Sequence, residues 1–264
     1  MAKGQFSQFF SLDSAKAIKA REYGYMNAIN YMAPANTAGV GNLCPHASPG
    51  CLALCLGWYS GQAAMLSNAE LETGINAVRA SRQRKARLFM ADRPAFMRDM
   101  VRGIDAAQRR ATRLGLKLCV RLNGATDIAW EGMRIPIKGA EHIMGATMPN
   151  VFAAYPNIQF VDYTKSVKRA LRHARGEMPK NYHLTFSRSE TNEADCVRVL
   201  EAGGNVAVVF DGEKPKTYLG HVVIDGDKHD LRFLDNRGAC VVGLSPKGSK
   251  AKHDRSGFVV RDAA

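Results

Sequence analysis

The chain has 264 residues, enough for one large α/β domain or two small ones. Its apolar share of 46% is ordinary for a globular protein, and no apolar run approaches the roughly 20 residues that cross a bilayer, so a membrane role is not expected. Thirty-seven basic against 24 acidic side chains leave a net charge of +13, a surface that attracts polyanions. Met1 leads straight into polar sequence without a signal peptide, which predicts a cytoplasmic protein with reduced thiols.

Helical and β-rich runs alternate along the chain. Ser14 to Tyr23 reads as a helix, and Tyr25 to Tyr31 as a first strand. Gly61 to Met90 is helical with a break at Gly74. Pro94 opens a helix to Leu114 that Gly115 stops, with Phe96, Met100, Ile104 and Ala107 at a 3.6 period. Strands are expected at Leu116 to Leu122, Ile158 to Tyr163, Tyr182 to Ser187, Val206 to Phe210, Val222 to Ile224 and Cys240 to Leu244. Helices at Lys165 to Arg175 and Glu190 to Ala202 separate several of them.

Strand–helix alternation implies a parallel sheet with right-handed crossovers. Two strands are apolar on one face only. Leu116, Leu118, Val120 and Leu122 oppose Lys117, Cys119, Arg121 and Asn123; Leu184 and Phe186 oppose His183, Thr185 and Ser187. Strands buried between two helix layers are apolar on both faces. The pattern predicts a single domain over 1–264: a partial, TIM-like β/α barrel with helices outside and a polar interior. Its site would lie at the C-terminal strand ends.

Half of the six cysteines fall within 42–58: Cys44, Cys51 and Cys55, spaced C-x6-C-x3-C. One helical turn would put Cys51 and Cys55 on one face, and Pro45, Pro49 and Gly50 would fold Cys44 back toward it. A disulfide would leave an odd thiol in a reduced compartment. Zinc wants four ligands in C-x2-4-C pairs; here the first gap is too long and no second pair follows, and His46 lies between the residues it would have to join. Buried structural thiols are the plainest alternative. Three converging thiolates suit a [4Fe–4S] cluster best, with an open or non-cysteine fourth position. Cys119, Cys196 and Cys240 are the cysteines that could close it.

Around this centre, Arg121, Asn123 and Asp127 are candidate catalytic residues, and Ser187 and Glu190 candidate cofactor-binding residues. A buried Arg121 needs an anion, from a ligand or from Asp127 or Glu131. Asp127 and Glu131 are four apart and could share a face. His183, Ser187 and Glu190 form a second polar set. Asp225, Asp227, His229 and Asp230 resemble metal ligands, but Gly226 and the alternating charge suit a hairpin turn better.

The runs RLNGATDIAWE (121–131), VDYTK (161–165), TFSRSE (185–190), GNVAVVF (204–210), DGDKHDLRF (225–233) and GLSPKG (243–248) together resemble a family of phage gene products, over roughly residues 25 to 260. The resemblance implies the fold more than an activity, and a location in the cytoplasm of an infected host cell. A more distant likeness is to radical S-adenosylmethionine enzymes, which place three cysteines in a loop after the first strand of a partial barrel. Some phage-borne members have a similar long gap ending in SPGC, as at 48–51 here. The spacing differs from that superfamily's usual C-x3-C-x2-C, and no Gly-Gly-Glu run is present. The likeness implies S-adenosylmethionine as a cofactor and a small-molecule ligand in the barrel mouth.

Two further readings follow from the basic segments Arg79 to Arg87, Arg109 to Arg113 and Lys247 to Arg255. One is a non-catalytic iron–sulfur protein that binds a host factor or nucleic acid. The other is a zinc-stabilised nucleic-acid-binding protein. No pattern in the sequence sets an oligomeric state.

Overall fold

The computed structural model describes residues 5–137, 147–235 and 238–261. In chain order the first part holds α1 (Ala15–Lys19), β1 (Tyr25–Ile29), α2 (Pro49–Ala53), α3 (Leu56–Tyr59) and α4 (Asn68–Leu71). Then come α5 (Ala77–Ala91), α6 (Arg93–Arg113), β2 (Lys117–Arg121), β3 (Ile135–Pro136) and β4 (Thr147–Met148). The second part runs α7 (Val151–Ala154), β5 (Gln159–Thr164), α8 (Val167–Ala174), β6 (Tyr182–Ser187), α9 (Glu193–Glu201) and β7 (Val206–Phe210). It ends with β8 (Thr217–Tyr218), β9 (His221–Asp225), β10 (Val241–Leu244), α10 (Ser249–Lys252) and β11 (Val259–Val260).

The two long helices start where short polar side chains take up free amides. Asn76 Oδ1 accepts from Arg79 N at 2.9 Å, and Asp92 Oδ1 accepts from Ala95 N at 2.9 Å. Helix α6 buries Phe96, Met100, Ile104, Ala107 and Ala111 along one stripe and ends before Gly115, whose φ of 66° stops it.

The main sheet is mostly parallel, in the order β1-β2-β5-β6-β7-β10-β9-β8, with β11 also on β7. From β1 to β7 each new parallel strand joins beyond the previous one, and β10 then inserts between β7 and β9; up to β7, crossovers of one hand leave their helices on one face. Burial agrees. Met26, Ala28, Leu118, Val120, Phe160 and Leu184 pack in one core with Phe96, Met100 and Ile104 of α6. Phe186, Val206, Val208 and Val241 pack with Ala170 of α8 and Val199 and Leu200 of α9.

Of the expected partial barrel the mostly parallel α/β sheet is present, and it is open: among the described residues its edge strands β1 and β8 do not pair with each other, so no closed barrel forms. One expectation needs correction. The inner face is not a wet lumen along its length. Leu231 and Phe233 pack on Cys119 and Val161, and the fully buried Arg232 faces Asp235 at 3.3 Å. Residues 231–235 thus cover the lower part of the inner face.

The expected hairpin at 225–230 is a turn of another kind. Asp227 N donates to Asp225 Oδ1 at 3.1 Å, but β9 and β10 then run parallel, which a tight hairpin cannot connect. Among the described residues no helix is long and apolar enough to cross a membrane.

Candidate functional site

The central strands end in one place. Ile29, Arg121, Tyr163, Ser187, Val209 and Leu244, at or near the C-terminal ends of β1, β2, β5, β6, β7 and β10, line a cavity of about 1110 Å³. Cys44, Cys51 and Cys55 line the same cavity. The sequence placed the site at the strand ends, and the cavity lies there.

The cysteine segment is seated from two sides. Ser48 caps α2, its hydroxyl accepting from Cys51 N at 3.2 Å, and Pro49 fills the first helical position. The helix stops at Ala53, so Cys51 and Cys55 are not on one continuous turn. Cys55 instead stands at the start of α3. On one side the loop 123–130 supports the segment: Asp127 N donates to Leu43 O at 2.9 Å, and the Cys44 thiol points at Ala125 O at 3.6 Å. Gly57 is required here, since a Cβ would lie 2.3 Å from the Ala125 Cβ. On the other side Glu190 accepts from Ser48 Oγ and Gly50 N, each at 2.7 Å.

The thiols share an electrostatic environment. Burial pushes Cys44 up to about 12, against a backbone hydrogen bond from Ala35, and the neighbouring Cys55 and Cys51 add to the rise. Burial raises Cys55 to about 11, with Cys51 adding, while amides of Gly57 and Trp58 and the Arg82 charge act the other way. Burial raises Cys51 as well, opposed by Lys165 and reinforced by Glu190 and Asp127. Without a positive centre these groups are thiols at neutral pH; a metal would have to displace their protons.

The donor set fits a thiolate cluster in chemistry. It is all sulfur, lines the cavity, and two of the sulfurs accept backbone N–H groups, as cluster sulfurs do. It does not fit a single ion. Among the described residues no group of three or more His, Cys, Asp or Glu side chains is placed to hold one metal ion. A tetrahedral zinc needs its sulfurs all about 2.3 Å from one point. Thiolates on separate irons of a cluster stand further apart.

The other candidates divide. Arg121 faces the cavity, stacked 4.7 Å over Tyr163, with Asp230 at 3.4 Å as its carboxylate in place of the expected Asp127 or Glu131. Asn123 is 2% exposed and its amide oxygen accepts from Thr126 Oγ1, Ile128 N and Trp130 Nε1. It shapes the loop beneath the cysteines and has no free valence for catalysis. Asp127 accepts from Lys165 N at 2.9 Å and pairs with Arg169 at 2.7 Å. Both are positioning residues.

Sequence reading missed Arg169. It gathers Asp127 and Glu131, which share a partner as their four-residue spacing allowed, and reaches Tyr182 Oη at 3.1 Å. The expected set of His183, Ser187 and Glu190 is split. Ser187 lines the cavity, Glu190 moors the cysteine loop, and His183 packs against His173 at 4.9 Å. Cys119, Cys196 and Cys240 are buried away from the cavity wall, so none closes a fourth position.

No curated protein and no solved structure matches this chain. The model of the family described as Gene product 88 matches residues 8–262, and the chain belongs to that family.

Proposed function

We propose that this chain is an iron–sulfur protein with a [4Fe–4S] cluster on Cys44, Cys51 and Cys55, its fourth position open to the cavity, performing redox chemistry of the radical S-adenosylmethionine type. The observation that carries the reading is the meeting of three thiols, two of them with N–H donors, at the C-terminal strand ends beside a large cavity. The strand order, ascending from β1 to β7 in a mostly parallel sheet, supports the reading.

When bound, such a cluster supplies one electron at a time to a molecule on its open iron. The chain's own residues bind and orient. Glu190 and the loop 123–130 fix the cysteine segment, Arg121 offers a cation on the cavity wall, and Ser187 offers a hydroxyl lining the same cavity. Titration of anaerobically purified protein with S-adenosylmethionine tests the enzyme reading. Binding that is saturable and lost in Cys51→Ser supports it; no binding to an iron-loaded protein contradicts it.

One observation favours a second reading, a non-catalytic iron–sulfur protein that binds nucleic acid or a host factor. Arg102, Arg109 and Arg113 lie exposed along α6, with Arg84 and Arg87 exposed on α5. Binding to a duplex that falls steeply with salt, and falls further in Arg109→Gln/Arg113→Gln, would support that reading.

A further inference from the structure

The cations of the cavity wall are held in an unusual way. Arg82 stacks 4.7 Å over Tyr31 and donates to Gly57 O. Lys85 stands 4.8 Å over Phe9 and donates to Phe9 O. Lys165 stands 5.1 Å over Phe258, with Arg188 O at 3.5 Å. Arg121 stacks 4.7 Å over Tyr163, with Asn123 O at 3.3 Å. All four line the one cavity.

Aromatic faces and carbonyl oxygens fix a cation without cancelling its charge. Of these four only Arg121 has a carboxylate within ion-pair distance, Asp230; a fifth cation of the wall, Lys247, is paired with Asp227 at 3.4 Å. The other acids on the wall are committed elsewhere: Asp13 to Arg21 and Arg110, Asp127 to Arg169. Arg82, Lys85 and Lys165 therefore keep their charge toward the cavity. A three-thiolate cluster has a small net negative charge, less than three cations supply. If the thiols hold protons instead, they offset none of that charge, and on their side Glu190 acts on Lys165 only from beyond ion-pair distance.

We propose that the cavity binds a phosphate-bearing anion, held by Arg82, Lys85 and Lys165 with Arg121 beside them. The site does not depend on the cluster. More than one unneutralised cation, on separate elements and fixed in advance, calls for a ligand of more than one negative charge. Arg82 and Lys85 come from α5 and Lys165 from the end of β5, so the ligand is gripped from two walls.

The test is calorimetric titration in low-salt buffer with inorganic pyrophosphate and, separately, ATP. Saturable binding that weakens with salt, and roughly tenfold or more in each of Lys165→Gln and Arg82→Gln, is expected. Lys165→Arg should restore most of it, and Lys165 lies outside the core, so this pair stays informative if Arg82→Gln does not fold. ATP well above pyrophosphate would assign the site to a phosphate ester, and equal affinity to the phosphate alone; both outcomes support the proposal. A cooperatively melting Cys44→Ser/Cys51→Ser/Cys55→Ser variant should still bind, which separates this site from the cluster. Three results would overturn the proposal. One is the absence of binding to either probe. Another is loss of binding in the folded serine variant. The third is binding unchanged by the cavity variants but lost in Arg109→Gln/Arg113→Gln, which would mark a nucleic-acid surface instead.

Discussion

Glu190 accepts hydrogen bonds from the amide of Gly50 and the hydroxyl of Ser48, each at 2.7 Å, across about 140 residues of chain. That contact ties the end of β6 to the turn that presents Cys51. Burial alone would raise the Glu190 carboxyl, but Gly50 and Ser48 together hold it below the usual range. A depressed carboxylate adds stability above its unfolded pKa, about 4.3, and that stability is lost as pH falls through the lower folded value. Urea midpoints from pH 3 to 7 should show this loss in the wild type, and Glu190→Gln should flatten it. Glu190→Ala should cost about 1–3 kcal/mol, from two buried donors left unpaired.

The Gly50 position admits a side chain only if its neighbours shift. A Cβ there would lie 2.6 Å from Ser256 Oγ and 2.8 Å from Glu190 Oε2. Gly50→Ala is therefore expected to displace Glu190 and lower the iron bound per chain while the fold is kept. Metal analysis beside circular dichroism checks it, and full iron content in Gly50→Ala would show that the mooring is dispensable.

Arg169 holds Asp127 and Glu131, both at 2.7 Å, in a mostly buried cluster. Removing the cation leaves two carboxylates uncompensated. Arg169→Met should destabilise by about 3–5 kcal/mol, and Arg169→Lys should recover only part, because an ammonium cannot serve both acids with a planar fork. Denaturant unfolding of the two variants measures both.

Asn123 presents one oxygen to three donors. Asn123→Ala frees the Trp130 indole and two further groups, and should cost about 2–4 kcal/mol with a shift in tryptophan emission. Unchanged emission and stability would mean that the loop holds its shape without this residue.

Lys85 is buried, and burial with Arg82 nearby lowers it to about 8. Between that value and about 10.4 the unfolded chain binds a proton that the folded one has released, so stability rises with pH across the window. The rise should amount to on the order of 2–3 kcal/mol and be missing in Lys85→Met. Thermal melts at pH 7.5 to 10 decide it.

The strands were legible because they carry their own period. Tyr182 to Ser187 and Val206 to Phe210 stand where expected, and the expected helix from Pro94 is α6, one residue longer at its start. The meeting of the three cysteines with the strand ends was also legible, since strand direction fixes where loops emerge. The break between α2 and α3 was not, because no helix breaker separates Cys51 from Cys55. Arg121 and Asn123 share a strand face by sequence parity, but the strand ends at Arg121, so parity no longer governs Asn123. The roles of Arg169 and Glu190 rest on contacts 38 and 140 residues apart, which no local pattern encodes. The segment 231–235 was missed for the same reason: its apolar residues are too few to read as an element.

The most direct test of the account is the iron, sulfide and zinc content of protein purified without oxygen, with an absorption spectrum of the same sample. About four irons and four sulfides per chain are expected, with broad visible thiolate–iron absorption, both falling away in Cys44→Ser, Cys51→Ser and Cys55→Ser. A colourless protein with zinc or no metal, or iron content indifferent to all three substitutions, would contradict it.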